Sequence, residues 1–429
     1  MDKIIICGGR PLHGEVEIGG SKNDAVAIMA ATLLIPGKTV LHRVPRISDV
    51  DTLLEILRHL GATTRFREDG ALEIDASQLN TCEAPQDLVR QMRASFNILG
   101  ALLTRFGRAS VAMPGGCNIG ARPVNFHIKG LEELGAKLQL HHGVYHGEVR
   151  RFRGANIYLE FPSAGATQHL MLAAACAEGR TIIENCAAEP EIVNLAAFLN
   201  ACGAQIHGAG TPTIEIDGVP ELHPTEFHII PDRLQAGTYA VAAAITGGDV
   251  FIRNARPEDC RPVLAKLRET GTEVQEYPDG VRVRRVTERI LPTDIKTMPH
   301  PGFPTDMQQV FASLLTIADG VSLITETVYE SRFRYTTELE RLGAHIVVEG
   351  RTAKITGVPA LTAAPVTCTD LRGGAALVVA ALVADGATEI DGLHHIDRGY
   401  EDLVPRLRQL GAAITRTQDA NGGLRVCSV

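Results

Sequence analysis

A helix ending like Leu-x-x-Leu-Gly-Ala recurs six times along the 429-residue chain, with its glycine at Gly61, Gly135, Gly203, Gly271, Gly343 and Gly411. Successive copies lie 74, 68, 68, 72 and 68 residues apart, a spacing too regular for chance. A second register runs in step. Apolar, alanine-rich segments stop at Gly37, Gly107, Gly179, Gly248, Gly320 and Gly386, each followed by a short β-branched stretch. A chain that repeats one α/β unit six times must stack its units to bury a common core, so equivalent positions in each unit fall at equivalent places in space.

The fourth unit shows the pattern. The segment 232–248 is apolar on more than one face and rich in alanine, and reads as a buried helix. Residues 249–255 supply a strand, and 256–271 an amphipathic helix with Pro257 suited to its first turn. A hairpin turning at Asp279-Gly280 follows. The order helix, strand, helix, strand, strand repeats in the other units, with buried helices expected near 22–36, 93–106, 164–178, 306–319 and 371–385. At this length six units divide most simply into two domains of three.

The net charge of -8 argues against a generic binder of nucleic acid or acidic membranes, which favour a basic face. Trp is absent and aromatics make up 4% of residues, which leaves few platforms for base stacking. No apolar run reaches the ~18 residues of a membrane span, and the first residues lack the apolar core of a secretory leader, so a cytoplasmic protein is expected. Nine cysteines without a Cys-x-x-Cys pair argue against structural zinc, and most read as small core residues.

An anionic ligand on such a chain needs a local cationic cluster, and the helix starts supply one. Lys22, Arg93, Arg122, Arg233, Arg256, Arg332, Arg372 and Arg398 stand at or near equivalent starts. A cation there opposes the helix dipole and needs another reason to be present, whereas Asp232 and Asp370 are ordinary caps. The set reads as an anion pocket. Residues 114–123 (PGGCNIGARP) form a glycine-rich loop before a helix, able to present N–H groups to phosphate. Within it Cys117 has Arg122 five residues on, a setting that tunes a thiol for acid or nucleophile work. Asp306, after Pro304-Thr305, reads either as a cap or as a general base facing the pocket. The histidine pairs at 141–142 and 394–395 lack partners at metal-ligand spacing.

These residues fall in motifs that resemble the UDP-N-acetylglucosamine 1-carboxyvinyltransferase family: SKNDAVAIMAATLL from Ser21, VRQMRAS from Val89, PGGCNIGARPVNFHIKGLEELGA from Pro114, AEPEIV from Ala188, FPTDMQ from Phe303, ITETVYESRF from Ile324, TDLRGGAALV from Thr369 and HIDRGYEDL from His395. The resemblance runs end to end, its most specific element being Gly-Gly-Cys joined to Gly-Ala-Arg-Pro. It implies an inside-out α/β barrel fold of two domains with three units each, the active site in the cleft between them. The first domain spans 22–230 and carries the Cys117 loop; the second spans 231–429 with 1–21 and carries Asp306 and Arg398.

The resemblance further implies that Lys22, Arg122 and Arg398 hold the phosphate of phosphoenolpyruvate, with Arg332 and Arg372 near its carboxylate. Asn23 and Asp306 then hold the amino sugar of UDP-N-acetylglucosamine, and Cys117 protonates the methylene of phosphoenolpyruvate or bonds to its C2. Cys117 is also the thiol that fosfomycin alkylates in the family. Arg93 with Arg122, Pro123, Val124, Asn125 and Phe126 match positions around the nucleotide. Ser163 and Gly165 lie near the diphosphate, Val328 near the sugar nucleotide, and Arg233 and Asp370 complete the substrate set. No metal or organic cofactor, nucleic acid, membrane or obligate protein partner is implied. Asn125 stands where Asp is frequent, Phe161 where some members carry Lys, and Asp24 where a small residue is usual. Asn125 supports a rival reading, transfer to a different nucleotide acceptor; a silent UDP-sugar-binding regulator is the other rival. Retention of Lys22, Cys117, Asp306 and Arg398 together opposes silence.

Overall fold

The six Leu-Gly-Ala endings are helix stops of one kind. Every one of their glycines is left-handed, with φ between +83° and +104°. In five of them the residue after the glycine donates back to the leucine five positions earlier: Ala62 to Leu57 (3.0 Å), Ala136 to Leu131 (3.0 Å), Ala204 to Leu199 (2.9 Å), Ala344 to Leu339 (3.1 Å) and Ala412 to Leu407 (3.0 Å). This six-to-one bond satisfies a carbonyl that the helix end leaves open, and the motif is its sequence signature. In the second register the fourth unit differs from expectation: Gly247 takes the left-handed conformation (φ +70°). Gly248 serves instead where a Cβ would lie 2.2 Å from the Leu12 carbonyl oxygen.

The computed structural model describes residues 2–115 and 124–417. Cys117, Arg122 and Pro123 lie outside them. Among the described residues there are six small sheets, five four-stranded and one three-stranded, in an α/β arrangement of repeated units. In each unit the strand after the buried helix pairs antiparallel with a hairpin strand; Asp249–Arg253 against Gly280–Arg285 is one case. In five of the six sheets a further strand runs parallel to the first, His13–Glu17 in one and shorter strands in the other four, which composition did not foreshadow. Asn156–Tyr158, Glu226–His228, Ile295–Lys296 and Pro365–Thr367 fill this place with two or three residues, too few to display an alternation.

The buried helices form where expected, with two modifications. Arg93–Asn97 and Thr305–Met307 are 3-10 turns that lead into the α-helices Ile98–Phe106 and Gln308–Leu315. Arg332 and Arg398 precede their α-helices, Thr336–Arg341 and Leu403–Gln409, by several residues instead of opening them. Arg398 closes the 3-10 stretch Leu393–Arg398.

Residues 2–19 with 231–417 make one compact unit, and 20–115 with 124–230 the other. Each has its own apolar core. In the first, the helices Arg233–Thr246, Gln308–Leu315 and Leu371–Ala381 lie at the centre. In the second, Lys22–Ala31, Ile98–Phe106 and Ala164–Ala174 do so. These helices are rich in alanine and leucine because they are enclosed on nearly every side, and the polar helices cover the outside. Lys3–Cys7 completes the last sheet of the first unit, pairing antiparallel with both Ala387–Asp391 and Ala413–Thr417. Among the described residues no helix is long and apolar enough to cross a membrane.

Candidate functional site

In the unit formed by 2–19 and 231–417, Pro304 caps a 3-10 turn that carries Asp306. The Asp306 carboxylate is held by two arginines from separate elements: Arg332 Nη2 donates to Oδ1 at 2.6 Å, and Arg372 Nε to Oδ2 at 3.2 Å. Both guanidinium side chains are 3% exposed, while Asp306 keeps 30% of its surface open. Gln309, its amide oxygen turned to Arg332, accepts from Nε (2.5 Å) and Nη2 (3.2 Å). Tyr329 and Tyr400 lie beneath the two guanidinium groups, with ring centroids 5.2 and 5.3 Å away.

Burial works against the charge of Arg332. Asp306, Tyr329 and Asp370 outweigh it and hold the guanidinium above its ordinary value. Arg372 follows the same rule: burial opposes its charge, and Tyr400, Asp306 and Asp232 raise it. Both therefore stay cationic inside the protein. Yet Nη1 of Arg332 and Nη1 of Arg372 are buried without any acceptor. Each of these open N–H groups costs free energy until an oxygen meets it.

Sequence reading passed over Glu326, which holds this site together. Its side chain is fully buried. Oε1 accepts from the Val328 and Tyr329 amides (2.8 and 3.0 Å), and Oε2 from Thr305 Oγ1 and Gln308 Nε2 (2.9 and 3.2 Å). Thus one carboxylate fastens the segment bearing Val328 and Arg332 to the turn bearing Asp306. A lone glutamate closing an apolar strand was the only signal available. Asp370 acts as a cap, accepting from the Arg372 and Gly373 amides at 3.0 Å each. Asp232 likewise caps the helix that Arg233 opens. Arg256 is exposed, so there the plain surface-charge reading holds.

In the other unit Ser21 caps the helix Lys22–Ala31, and Lys22 Nζ lies 3.0 Å from Asp49 Oδ2 at the start of Ser48–His59. Asn23 is half-buried beside it. Asp24, unusual for its position, is buried and accepts from Asn194 Nδ2 (2.7 Å) and the Ile230 amide (3.1 Å), which fixes the start of the helix. Arg93 opens its 3-10 turn, half-buried. Val124 precedes the helix Asn125–Glu133, on which Asn125 is exposed and Phe126 packs against the core. Ser163 caps Ala164–Ala174 through the Ala166 amide (3.3 Å), and Gly165 follows in its first turn. A Cβ at Gly165 would meet His127 Cε1 at 3.3 Å. Phe161 is exposed.

Five described thiols are held protonated by burial: Cys176 and Cys186 are pushed up to about 11, and Cys202, Cys260 and Cys368 to about 12. Among the described residues no group of three or more His, Cys, Asp or Glu is placed to hold a metal ion.

Comparison with known proteins agrees with this fold and these motifs. The family model described as EPSP synthase (3-phosphoshikimate 1-carboxyvinyltransferase) matches residues 6–407. The chain is 51% identical over 419 residues to UDP-N-acetylglucosamine 1-carboxyvinyltransferase 3 of Caldanaerobacter subterraneus, covering 98% of this chain and 100% of that protein. It is 50% identical to the UDP-N-acetylglucosamine 1-carboxyvinyltransferase of a Nostoc species, over 96% of this chain and 93% of that one. The solved structure of the enolpyruvyl transferase NikO from Streptomyces tendae superposes with a TM-score of 0.86 at 28% identity, over 97% of this chain and 99% of that chain.

Proposed function

The chain belongs to the EPSP synthase family of enolpyruvyl transferases and, within it, to the UDP-N-acetylglucosamine 1-carboxyvinyltransferases, and on that premise we propose how its residues divide the work. The enzyme transfers the enolpyruvyl group of phosphoenolpyruvate to the 3-hydroxyl of UDP-N-acetylglucosamine, releases phosphate and so enters peptidoglycan precursor synthesis. The observation that carries the choice of acceptor is identity of about one half with relatives of that name over nearly the whole chain. Both substrates are cytoplasmic metabolites, so a cytoplasmic site of action follows.

In our reading the Cys117 thiol donates its proton to the methylene carbon of phosphoenolpyruvate, leaving C2 electron-poor. The sugar hydroxyl oxygen then bonds to C2 as its proton passes to the Asp306 carboxylate. The new methyl returns a proton to the Cys117 thiolate while the C2–O bond to phosphate breaks, taking its electron pair with the phosphate. Lys22, Arg122 and Arg398 bind the phosphate, and Arg332 with Arg372 the carboxylate. The open Nη1 positions of Arg332 and Arg372 support this assignment, because a substrate carboxylate would satisfy both. Their pairing aims the Asp306 carboxylate. Asn23, Arg93, Arg233, Val124, Asn125, Phe126, Ser163, Gly165, Val328 and Asp370 line the acceptor side with Pro123.

A direct test measures phosphate release from phosphoenolpyruvate with UDP-N-acetylglucosamine, UMP or shikimate 3-phosphate as acceptor. Release with the sugar nucleotide alone is expected; preference for UMP would sink the acceptor assignment and favour the reading that Asn125 supports. Fosfomycin should alkylate Cys117, and mass spectrometry of the treated protein reads its position. The five buried thiols should remain unmodified. Cys117→Ser should lose turnover and fosfomycin sensitivity together; full activity in that variant would remove Cys117 from its role.

A further inference from the structure

Two histidines missing from every assignment above meet inside the unit that contains Ser163. His127 lies on Asn125–Glu133 and His169 on Ala164–Ala174, with their Nδ1 atoms 2.9 Å apart. His169 is wholly enclosed, and its Nε2 accepts from the Gly100 amide at 2.7 Å. A backbone N–H can only donate, so Nε2 of His169 carries a lone pair. A neutral imidazole with a bare Nε2 holds its proton on Nδ1. That proton points at His127 Nδ1, which must accept it.

We propose that His169 is a positioning residue: it locks His127 as the neutral tautomer with its proton on Nε2, so that His127 offers a donor edge to the first turn of Ala164–Ala174, where Ser163 and Gly165 stand. The use of that edge for an oxygen of the acceptor substrate rests on the reading of Ser163 and Gly165 given above. Protonating His127 at Nδ1 would set two N–H groups against each other, so the lock also withholds the imidazolium form.

Three further features fit. Burial pushes the His169 ring down to about 3, so it stays neutral across the working range. Phe96 sets its ring edge-on to both histidines, with centroids 5.5 and 5.6 Å away, and walls the pair off. Glycines stand at both ends of the relay. A Cβ at Gly100 would come within 2.7 Å of the His169 ring, so the backbone admits that ring only because the side chain is missing; one at Gly165 would sit tightly, 3.4 Å from His127 Nε2.

The test uses the full chain labelled with 15N at histidine, reading long-range proton–nitrogen correlations of the imidazoles, with His127 and His169 identified from variants of each. In the wild type His127 should show an unprotonated Nδ1 and a protonated Nε2 from pH 6 to 8. His169→Gln can still accept from Gly100 through its carbonyl and donate to His127 through its amide; the same tautomer and a KM for UDP-N-acetylglucosamine within about twofold are expected. His169→Leu does neither, so His127 should populate both tautomers and titrate, with KM rising roughly fivefold or more at similar kcat. A protonated Nδ1 or an imidazolium at His127 in the wild type would overturn the proposal, as would an unchanged His127 spectrum in His169→Leu. Should His169→Leu fail to fold, the wild type and His169→Gln still decide. If the tautomer is as stated while UDP-N-acetylglucosamine is not turned over, the lock stands and the functional reading falls.

Discussion

Two groups of arginines within one unit are treated in opposite ways. On the exposed strands, Arg282 forks onto Asp249 (2.8 and 2.7 Å) and Arg284 onto Glu273 (2.9 and 2.6 Å), each pair matched one to one in contact with water. Around Asp306, two enclosed guanidinium groups share a single carboxylate and each retains an open nitrogen. The ladder is complete, and screened besides, so it has little left to gain from a ligand. The buried trio is incomplete, and what it lacks is negative charge. Charge pairing separates a surface from a site here better than the number of arginines does.

The largest break comes from removing the shared carboxylate. Asp306→Ala should lower kcat/KM by about 10³-fold or more through loss of a base and of alignment. It should also lower the unfolding free energy in urea by about 3 kcal/mol, because two buried cations lose their counter-charge. Activity within tenfold of wild type would place the base elsewhere. Next, saturation of the wild type with UDP-N-acetylglucosamine at about 100 times its Kd should raise stability by about 2.7 kcal/mol in a thermal-shift titration. Phosphoenolpyruvate, added alone, should stabilise the wild type but not Arg372→Met; equal stabilisation of both would disconnect the open nitrogens from the anion.

Glu326→Gln should act more gently, with a three- to tenfold fall in kcat/KM, since the amide oxygen still accepts from the Val328 and Tyr329 amides while its nitrogen faces two donors. Steady-state kinetics measure it, and a loss as deep as that of Asp306→Ala would make Glu326 more than a fastener. The ladder should respond least: Arg284→Gln should leave kcat/KM and Tm unchanged within error. The hydrogen bond from Arg282 chiefly holds the Asp249 carboxyl below its ordinary range. Its contribution to stability is therefore present above about pH 4 and lost as pH falls through the depressed value. The urea midpoints of wild type and Asp249→Asn should accordingly differ by a constant small amount above that pH and converge below it.

Much of the fold was legible because its grammar is local. A left-handed glycine, with a leucine four residues before it, marks each of the six helix stops, and Ala62 to Leu57 shows the bond that this pattern encodes. The parallel strands of two or three residues were not legible, since pairing with a neighbour rather than pattern makes Ile295–Lys296 extended. Among candidate residues, Arg332 and Arg372 stood out as cations that oppose a helix dipole and Asp306 read as either a cap or a base, and the fold gathers the three. Glu326 and the His127–His169 pair did not, because their meaning lies in which atoms they face across 18 to 42 residues of chain.

The place of Lys3–Cys7 carries a consequence for synthesis. Ile4 meets Ile390, so the first strand leaves the ribosome long before its partners exist. At about 5–20 residues per second the interval is on the order of 20–80 s. Through it three consecutive isoleucines, all buried in the end, travel without a sheet to join. The nascent chain thus advertises a sticky apolar tail throughout its birth, and a chaperone holding that tail would act as an escort until the final unit emerges to receive it.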